Sequence, residues 1–393
     1  MTLSPKGFRF ATVSAGFRKE ARPDLALVVS DVPAAAAGVF TTNRFQAAPV
    51  IMARELLAAR PEARAVVINS GQANACTGDE GLANCRSKME MVASASALSA
   101  HDVLPASTGV IGAQLSMEKW KEAAPRLGAA LGQNSPDDFA RAIMTTDAFP
   151  KIASHELEIA GTTVRLVGMA KGAGMICPNM ATMLSVVLCD ASVAPEDWQE
   201  LFRDAVDRTF NRVTVDGDTS TNDTVFGLAN GCAGVAVKGD DLALLGAALT
   251  DVLGKLAYML VQDGEGATKV LRIRISGAIS DGDAELAART VGHSQLVKTA
   301  MYGRDANWGR IVAALGRSGA TFAPEDVRVV LCGVELFRNG QPNDLDFDTL
   351  LREPLKGRDI TVDIELGAGN AGYELLASDL THDYVSCNAD YRS

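Results

Sequence analysis

The chain has 393 residues, 47% of them hydrophobic and 22% charged. That is length enough for two packed domains or one large layered domain, and the composition is too apolar for a disordered or fibrous protein. Its 37 basic and 48 acidic residues give a net charge of −11, which repels phosphate backbones and anionic membranes, and no basic run interleaved with aromatic rings offsets it, so nucleic acid is not expected as a partner.

At the N-terminus, Lys6, Arg9, Arg18 and Lys19 interrupt the stretch where a secretory signal needs an unbroken apolar core. The longest apolar runs, such as Leu184 to Cys189, are too short to cross a bilayer. A cytoplasmic protein without membrane contact is expected. Residues 24–29 (DLALVV) predict a strand, followed by an alanine run closed by Gly38 and the polar Thr41-Thr42-Asn43-Arg44. A second apolar run, residues 65–68, ends in Asn69-Ser70-Gly71-Gln72-Ala73-Asn74, a strand end made of small and amide residues.

Residues 87–98 predict a helix packed closely on a sheet, and residues 103–112 (VLPASTGVIG) a glycine-punctuated turn between apolar runs. Ser116 is placed to cap a helix through Trp120, with Pro125 limiting its regularity. The clearest amphipathic helix carries Trp198, Leu201, Phe202, Ala205 and Val206 behind Pro195, Glu196 and Asp197. Another spans 242–260 and stops at Gly264 and Gly266, leaving Glu265 on the following loop. Strands at 271–275 and 327–331 alternate with these helices. The fold class is α/β or α+β, without repeats or low-complexity linkers.

Common catalytic templates fail on spacing. Gly172-Ala173-Gly174 has Cys177 where a dinucleotide fingerprint needs its third glycine, and Gly264-Glu265-Gly266-Ala267-Thr268-Lys269 does not fit a phosphate loop. Asp216 and Asp218 begin like a calcium loop, but Thr221 and Gly227 stand where its glycine and glutamate belong. Neither G-x-S-x-G nor H-E-x-x-H occurs. The cysteines at 76, 85, 177, 189, 232, 332 and 387 form no C-x-x-C pair, and the four histidines are isolated, so reduced thiols and no metal site are expected.

What remains is Lys171-Gly172-Ala173-Gly174-Met175-Ile176-Cys177-Pro178-Asn179-Met180-Ala181-Thr182-Met183-Leu184: a glycine stretch, a rigid proline, and Thr182 at the mouth of the apolar run LSVVLCD. Taken alone, this fits a turn feeding a buried strand that favours threonine. The segment also resembles the self-cleavage signature of the ornithine acetyltransferase family, ArgJ in bacteria, whose members cut themselves between Ala and Thr of an N-M-A-T-M-L motif. Support is spread over nearly the whole chain: Thr41-Thr42-Asn43, the Asn69–Asn74 loop, Ser107-Thr108-Gly109-Val110-Ile111-Gly112, Thr145-Thr146-Asp147 and Asp216-Gly217-Asp218-Thr219-Ser220-Thr221-Asn222-Asp223. Downstream come Lys298-Thr299-Ala300, Gly303-Arg304-Asp305-Ala306-Asn307-Trp308-Gly309-Arg310 and the end of the chain from Thr381 to Ser393. The sequence departs from the family in Cys177, where Ala is usual, and in Ser386-Cys387, where Thr-Ile is frequent; both changes are conservative in size.

The resemblance implies a layered sandwich of β-sheets and helices, similar to that of the related DmpA-type aminopeptidases, with a nucleophile freed at a new N-terminus. It implies cleavage between Ala181 and Thr182, giving an α chain (1–181) and a β chain (182–393) that stay together as a heterotetramer; the cut is not a domain boundary. Thr182 would be the nucleophile, Thr108 and Gly109 the oxyanion-hole donors, and Thr145, Lys171, Thr182, Glu265, Asn388 and Ser393 the substrate ligands. Their chemistry suits a small zwitterion, with Lys171 facing a carboxylate and Glu265 an ammonium. The implied reaction moves acetyl from N2-acetylornithine to L-glutamate, releasing L-ornithine and N-acetylglutamate, with no resident cofactor. No nucleotide signature decides whether acetyl-CoA is a second donor. Two rivals stay open: a self-cleaving aminopeptidase that hands the acyl group to water, and a non-catalytic amino-acid-binding module.

Overall fold

The computed structural model describes residues 4–18, 22–177 and 183–390. In chain order the strands are β1 (Phe8–Val13), β2 (Leu25–Phe40), β3 (Glu62–Gln72), β4 (Val103–Val110), β5 (Lys151–Ile159), β6 (Thr162–Lys171), β7 (Leu184–Cys189), β8 (Val213–Thr214), β9 (Thr224–Ala229), β10 (Val270–Ala278), β11 (Arg328–Leu331), β12 (Val334–Arg338), β13 (Gln341–Pro342), β14 (Asp359–Glu365) and β15 (Ala371–Ser378). The α-helices are α1 (Ala48–Ala59), α2 (Gly78–Ala95), α3 (Met117–Ala129), α4 (Pro136–Ile143), α5 (Pro195–Arg208), α6 (Asp241–Gln262), α7 (Asp281–Gly292), α8 (Gln295–Tyr302), α9 (Trp308–Gly316), α10 (Phe347–Leu351) and α11 (His382–Asp390). The class is α/β, with two sheets each layered with helices. The chain divides into two compact units, one running to Asn211 and resuming over Asp218 to Leu260, the other comprising Arg212–Gly217 and Val261–Tyr391.

The first unit is built on a sheet of strand order β4-β3-β2-β9-β7-β6-β5, with β1 paired to β2. Strand side chains alternate between faces, and β2 uses both. Leu25, Leu27 and Val29 join Val92 of α2 and Trp120, Ala123 and Leu127 of α3 in one core. Ala26 and Val28 join Val50 and Ala53 of α1 and Phe139 and Ile143 of α4 in the other. The strand β7, buried along its whole length, runs parallel to β9 and antiparallel to β6; flanked on both sides and covered on both faces, it needs the continuous apolar run LSVVLC. Both β7 and β9 follow residue 182 in sequence, yet they lie between β2 and β6, which precede it.

Three local expectations shift. The residues read as a strand followed by an alanine run are one continuous β2, because small side chains suit the close flanking of β3 and β9. The segment 103–112, read as a turn, is mostly strand β4, whose parallel register on β3 carries its glycine into the ladder. Pro125 sits inside α3 without ending it, since the buried stripe Trp120, Ala123, Ala124 and Leu127 holds the helix across the missing donor.

Helix α6 has the length and apolar composition of a membrane span, but its stripe from Leu245 to Leu260 is buried. A Cβ at Gly168 of β6 would lie 2.7 Å from Leu256 and 2.8 Å from Val252, so this helix is seated directly on the sheet.

The second unit carries a sheet of order β13-β12-β11-β14-β10-β15-β8. Leu271, Ile273 and Ile275 of β10 point to a core shared with Ala284 and Val291 of α7, Met301 of α8 and Ile311 and Leu315 of α9. The alternate positions Arg272 and Arg274 pair with Glu374 on the opposite face.

Candidate active site

In the first unit one buried carboxylate organises two of the residues singled out from the sequence. Asp147 accepts hydrogen bonds from the Thr145 amide at 2.8 Å, the Gly172 amide at 2.6 Å and Lys151 Nζ at 2.6 Å. Both side chains of the Asp147–Lys151 pair are fully buried. Burial alone would raise the Asp147 carboxyl, but Lys151, then Lys171, and these hydrogen bonds outweigh it and hold the group well below the usual carboxylate range. Asp147 is therefore a fixed anion. It ties Thr145, two residues past the end of α4, to the turn that leaves β6 after Lys171.

Lys171 closes β6 and is buried. Its register partner on β7 is Leu184, two residues downstream of Thr182 in the sequence. Its ammonium donates to Thr108 Oγ1 at 3.3 Å, which brings the third singled-out side chain into the set. Thr108 and Gly109 lie on β4 opposite Ser70 and Gly71 of β3. Gly109 has φ +131°, and a Cβ there would sit 2.2 Å from the Gly71 carbonyl carbon; only glycine fits. Asn222 Nδ2 donates to Ser107 O at 2.8 Å and Ala73 O at 2.6 Å. Because a peptide unit is planar and trans, anchoring the Ser107 carbonyl turns the Thr108 N–H to the opposite side.

The segments on either side of the proposed cleavage point are tied to the same loop cluster. Thr219 Oγ1 donates to Cys177 O at 2.9 Å, and the Thr224 amide donates to Met183 O at 3.0 Å. That loop is held in turn by β2's end, where Thr41 Oγ1 donates to Ser220 O at 2.7 Å and Asn43 Nδ2 to Thr219 O at 2.8 Å. Ala181, Thr182 and Ser393 lie outside the described residues.

In the second unit, Asn388 Nδ2 on α11 donates to Glu265 Oε2 at 2.7 Å and to Tyr384 O at 3.0 Å. Gly266 makes the approach of α11 to this loop possible: its φ is +66°, and a Cβ would lie 2.6 Å from the Tyr384 amide. Thr381 Oγ1 donates to Gly266 O at 2.9 Å. Asp379 accepts from the amides of Thr268 and Lys269 at 2.8 and 3.0 Å. Glu265 and Asn388, far apart in sequence, thus form one polar pair.

Among the described residues no group of three or more His, Cys, Asp or Glu could hold a metal ion. The set in the first unit places a buried ammonium beside the Thr108 hydroxyl, one residue before Gly109 on β4, which suits holding a carboxylate near a site where an oxyanion develops. Sequence reasoning gave no role to Asp147, Lys151 or Asn222. The signal was available for the first two: an acidic residue ending Thr-Thr-Asp with a lysine four positions on, in a stretch otherwise rich in small and apolar residues.

The ArgJ family model matches residues 9–393. The chain is 82% identical over 393 residues to the arginine biosynthesis bifunctional protein ArgJ of Nitratidesulfovibrio vulgaris, covering 100% of both chains. It is 46% identical over 394 residues to the protein of the same name from Geobacter sulfurreducens, again covering 100% of both. Among solved structures it is similar to the arginine biosynthesis bifunctional protein ArgJ of Bacillus halodurans, with 36% identity and a TM-score of 0.51 over 53% of this chain and 100% of that one.

Proposed function

The chain belongs to the ArgJ family, and from that membership we propose that it is the acetyltransferase of arginine biosynthesis that passes acetyl from N2-acetylornithine to L-glutamate through an ester on Thr182. The observation that carries this reading is the hydrogen-bonded set Thr145–Asp147–Gly172 with Lys171–Thr108, lodged next to the strand that Thr182 precedes.

Maturation comes first. A threonine hydroxyl is a weak nucleophile until a base or a free N-terminal amine activates it. Attack of Thr182 Oγ on the Ala181 carbonyl, with transfer of the hydroxyl proton to the departing amide nitrogen, converts the peptide bond to an ester. Water hydrolyses that ester, leaving the Ala181 carboxylate and a free Thr182 amine. With an unperturbed pKa of about 7.7–8.0, that amine is partly neutral near pH 7 and can accept a proton. The α chain (1–181) and β chain (182–393) remain associated, and the assembly proposed is a cytoplasmic heterotetramer.

In the first half-reaction the Thr182 amine accepts the Oγ proton as Oγ attacks the acetyl carbonyl of N2-acetylornithine. The oxyanion is met by Thr108 and Gly109, and collapse returns the proton to the departing ornithine amine. The glutamate amine then attacks the acetyl-Thr182 ester, the acyl–Oγ bond breaks, the amine's proton passes by way of the Thr182 amine to Oγ, and N-acetylglutamate leaves. Lys171 neutralises the substrate carboxylate; Thr145, Glu265, Asn388 and Ser393 orient the rest. No resident cofactor is needed. Acetyl-CoA is proposed as a second donor, a reading supported by the word bifunctional in the relatives' name.

Mass spectrometry of the purified protein tests both stages. Two chains, the β chain alone beginning at Thr182, and radiolabel retained on that chain after incubation with acetyl-labelled N2-acetylornithine, are expected; Thr182→Ala gives one uncut, unlabelled chain. Label on the Thr182→Ala variant would remove this mechanism, and acetate released without N-acetylglutamate would point instead to hydrolysis.

A further inference from the structure

Lys88 is fully buried on α2, on the same helix face as Cys85, Met89 and Val92. Its ammonium donates to Ser107 Oγ at 2.8 Å, Asn69 Oδ1 at 3.2 Å and Ala106 O at 3.2 Å, and it lies 5.6 Å from the centroid of the Trp120 ring. Ser107 Oγ donates onward to Asn69 Oδ1 at 2.7 Å. Among the described residues no carboxylate pairs with Lys88, in contrast to Lys151. An apolar side chain of similar length would avoid the cost of burying a charge at this core position. All three of its acceptors sit on the paired strands β3 and β4, and two belong to the residues immediately before Thr108.

We infer that Lys88 is a positioning residue for acetyl transfer, whose buried charge holds the Ala106–Ser107 segment of β4 against Asn69 of β3 and so fixes and polarises the Thr108–Gly109 donor pair. The inference rests on the reading of Thr108 and Gly109 as oxyanion donors. The strand β4 runs straight from the anchored residues into that pair. A positive charge that no carboxylate among the described residues neutralises favours negative charge developing nearby in a water-poor interior.

A pH dependence follows. Burial pushes the Lys88 ammonium down to about 8, with a smaller opposing pull from Cys85 one turn back on α2. Of the other elements packed against α2, β3 and β4 present Asn69, Ser107 and a carbonyl, α3 presents the Trp120 indole, α1 meets α2 through Ala48 and Met52 against Cys85 and Met89, and the 3-10 turn Ala100–Asp102 carries His101 and Asp102, the latter paired with Arg60. As pH rises through about 8, Lys88 loses its proton and activity falls. The unfolded state keeps that proton up to its own pKa of about 10.4, so this group's contribution to stability rises over the same window. Loss of turnover is thereby separable from unfolding.

The experiment compares wild type, Lys88→Met, Lys88→Arg and Ser107→Ala, each checked for two-chain maturation, in acetyl transfer from N2-acetylornithine to glutamate between pH 6.5 and 10. For Lys88→Met, kcat is expected to fall by about 10²-fold, with KM changed less than about twofold and the alkaline limb lost. Lys88→Arg stays charged and moves that limb upward. Ser107→Ala lowers kcat and shifts the limb down, and it decides the matter if Lys88→Met fails to fold or mature. Wild-type kcat and an unchanged alkaline limb in Lys88→Met, or in Ser107→Ala where Lys88→Met cannot be assayed, overturn the inference alone. A wild-type protein without acetyl transfer overturns it together with the functional reading.

Discussion

Lys171 donates to the Thr108 hydroxyl across 3.3 Å, so the side chain assigned to the substrate carboxylate and the one assigned to the oxyanion are bonded to each other before substrate arrives. Because Thr108 Oγ1 accepts that bond, its own O–H stays available to donate to an oxyanion. Thr108→Val keeps the shape and removes that donor. Its kcat is expected to fall on the order of 10²-fold, and kcat/KM with it, in initial-rate measurements with N2-acetylornithine varied. A variant whose KM alone changes would assign Thr108 to ground-state binding.

Gly109→Ala tests the backbone rather than a side chain. The new Cβ would lie 2.2 Å from the Gly71 carbonyl carbon at a φ of +131°, so β4 must part from β3 at the register pair Gly71–Gly109. Loss of transfer activity greater than that of Thr108→Val is expected, with a lowered thermal midpoint. Wild-type turnover in this variant would exclude Gly109 from the oxyanion site.

Asp147→Asn keeps one acceptor oxygen where the Thr145 and Gly172 amides use two different ones, and it leaves Lys151 buried without its counter-charge. The expected loss of stability is about 3–5 kcal/mol by chemical denaturation at neutral pH. The sign with pH is fixed by the depressed carboxyl. Its contribution is present above the unfolded pKa of about 3.9 and disappears as pH drops toward the folded one. The gap between wild type and variant therefore narrows below about pH 4; a gap independent of pH would show that the carboxylate charge is not what stabilises this corner.

Removal of residues 391–393 deletes Ser393 but spares the ties of Thr381 to Gly266 and of Asn388 to Glu265. Weaker substrate binding, read as a higher KM, is expected with an unchanged thermal midpoint. If KM is unaffected, Ser393 is not a ligand.

How far the sequence could lead depended on the kind of signal. Amphipathic helices such as α5 were legible because one stripe, Trp198, Phe202, Ala205 and Val206, is buried at helical spacing. The strand character of Thr108 was hidden, since Pro105, Gly109 and Gly112 read as turn punctuation while the parallel register on β3 that overrides them is a long-range fact. Glu265 and Asn388 came from resemblance alone; no spacing predicts a hydrogen bond between residues so far apart in sequence. Lys88 was passed over because a lysine among methionines on a helix reads as a solvated residue, and only its acceptors reveal it.

Strand order in the first sheet constrains how this protein is made. The hairpin of β5 and β6 is separated from β2 by β9 and β7, so a polypeptide ending at Ala181 would hold two pieces of a sheet with the middle missing. Under the proposed cleavage, folding must precede scission, and the two products would be locked together like interleaved fingers. Ribosomal synthesis of the halves as independent proteins would give each an unpaired, apolar strand edge prone to aggregation. In the proposed maturation a single continuous gene product is nicked only after folding, which avoids that hazard.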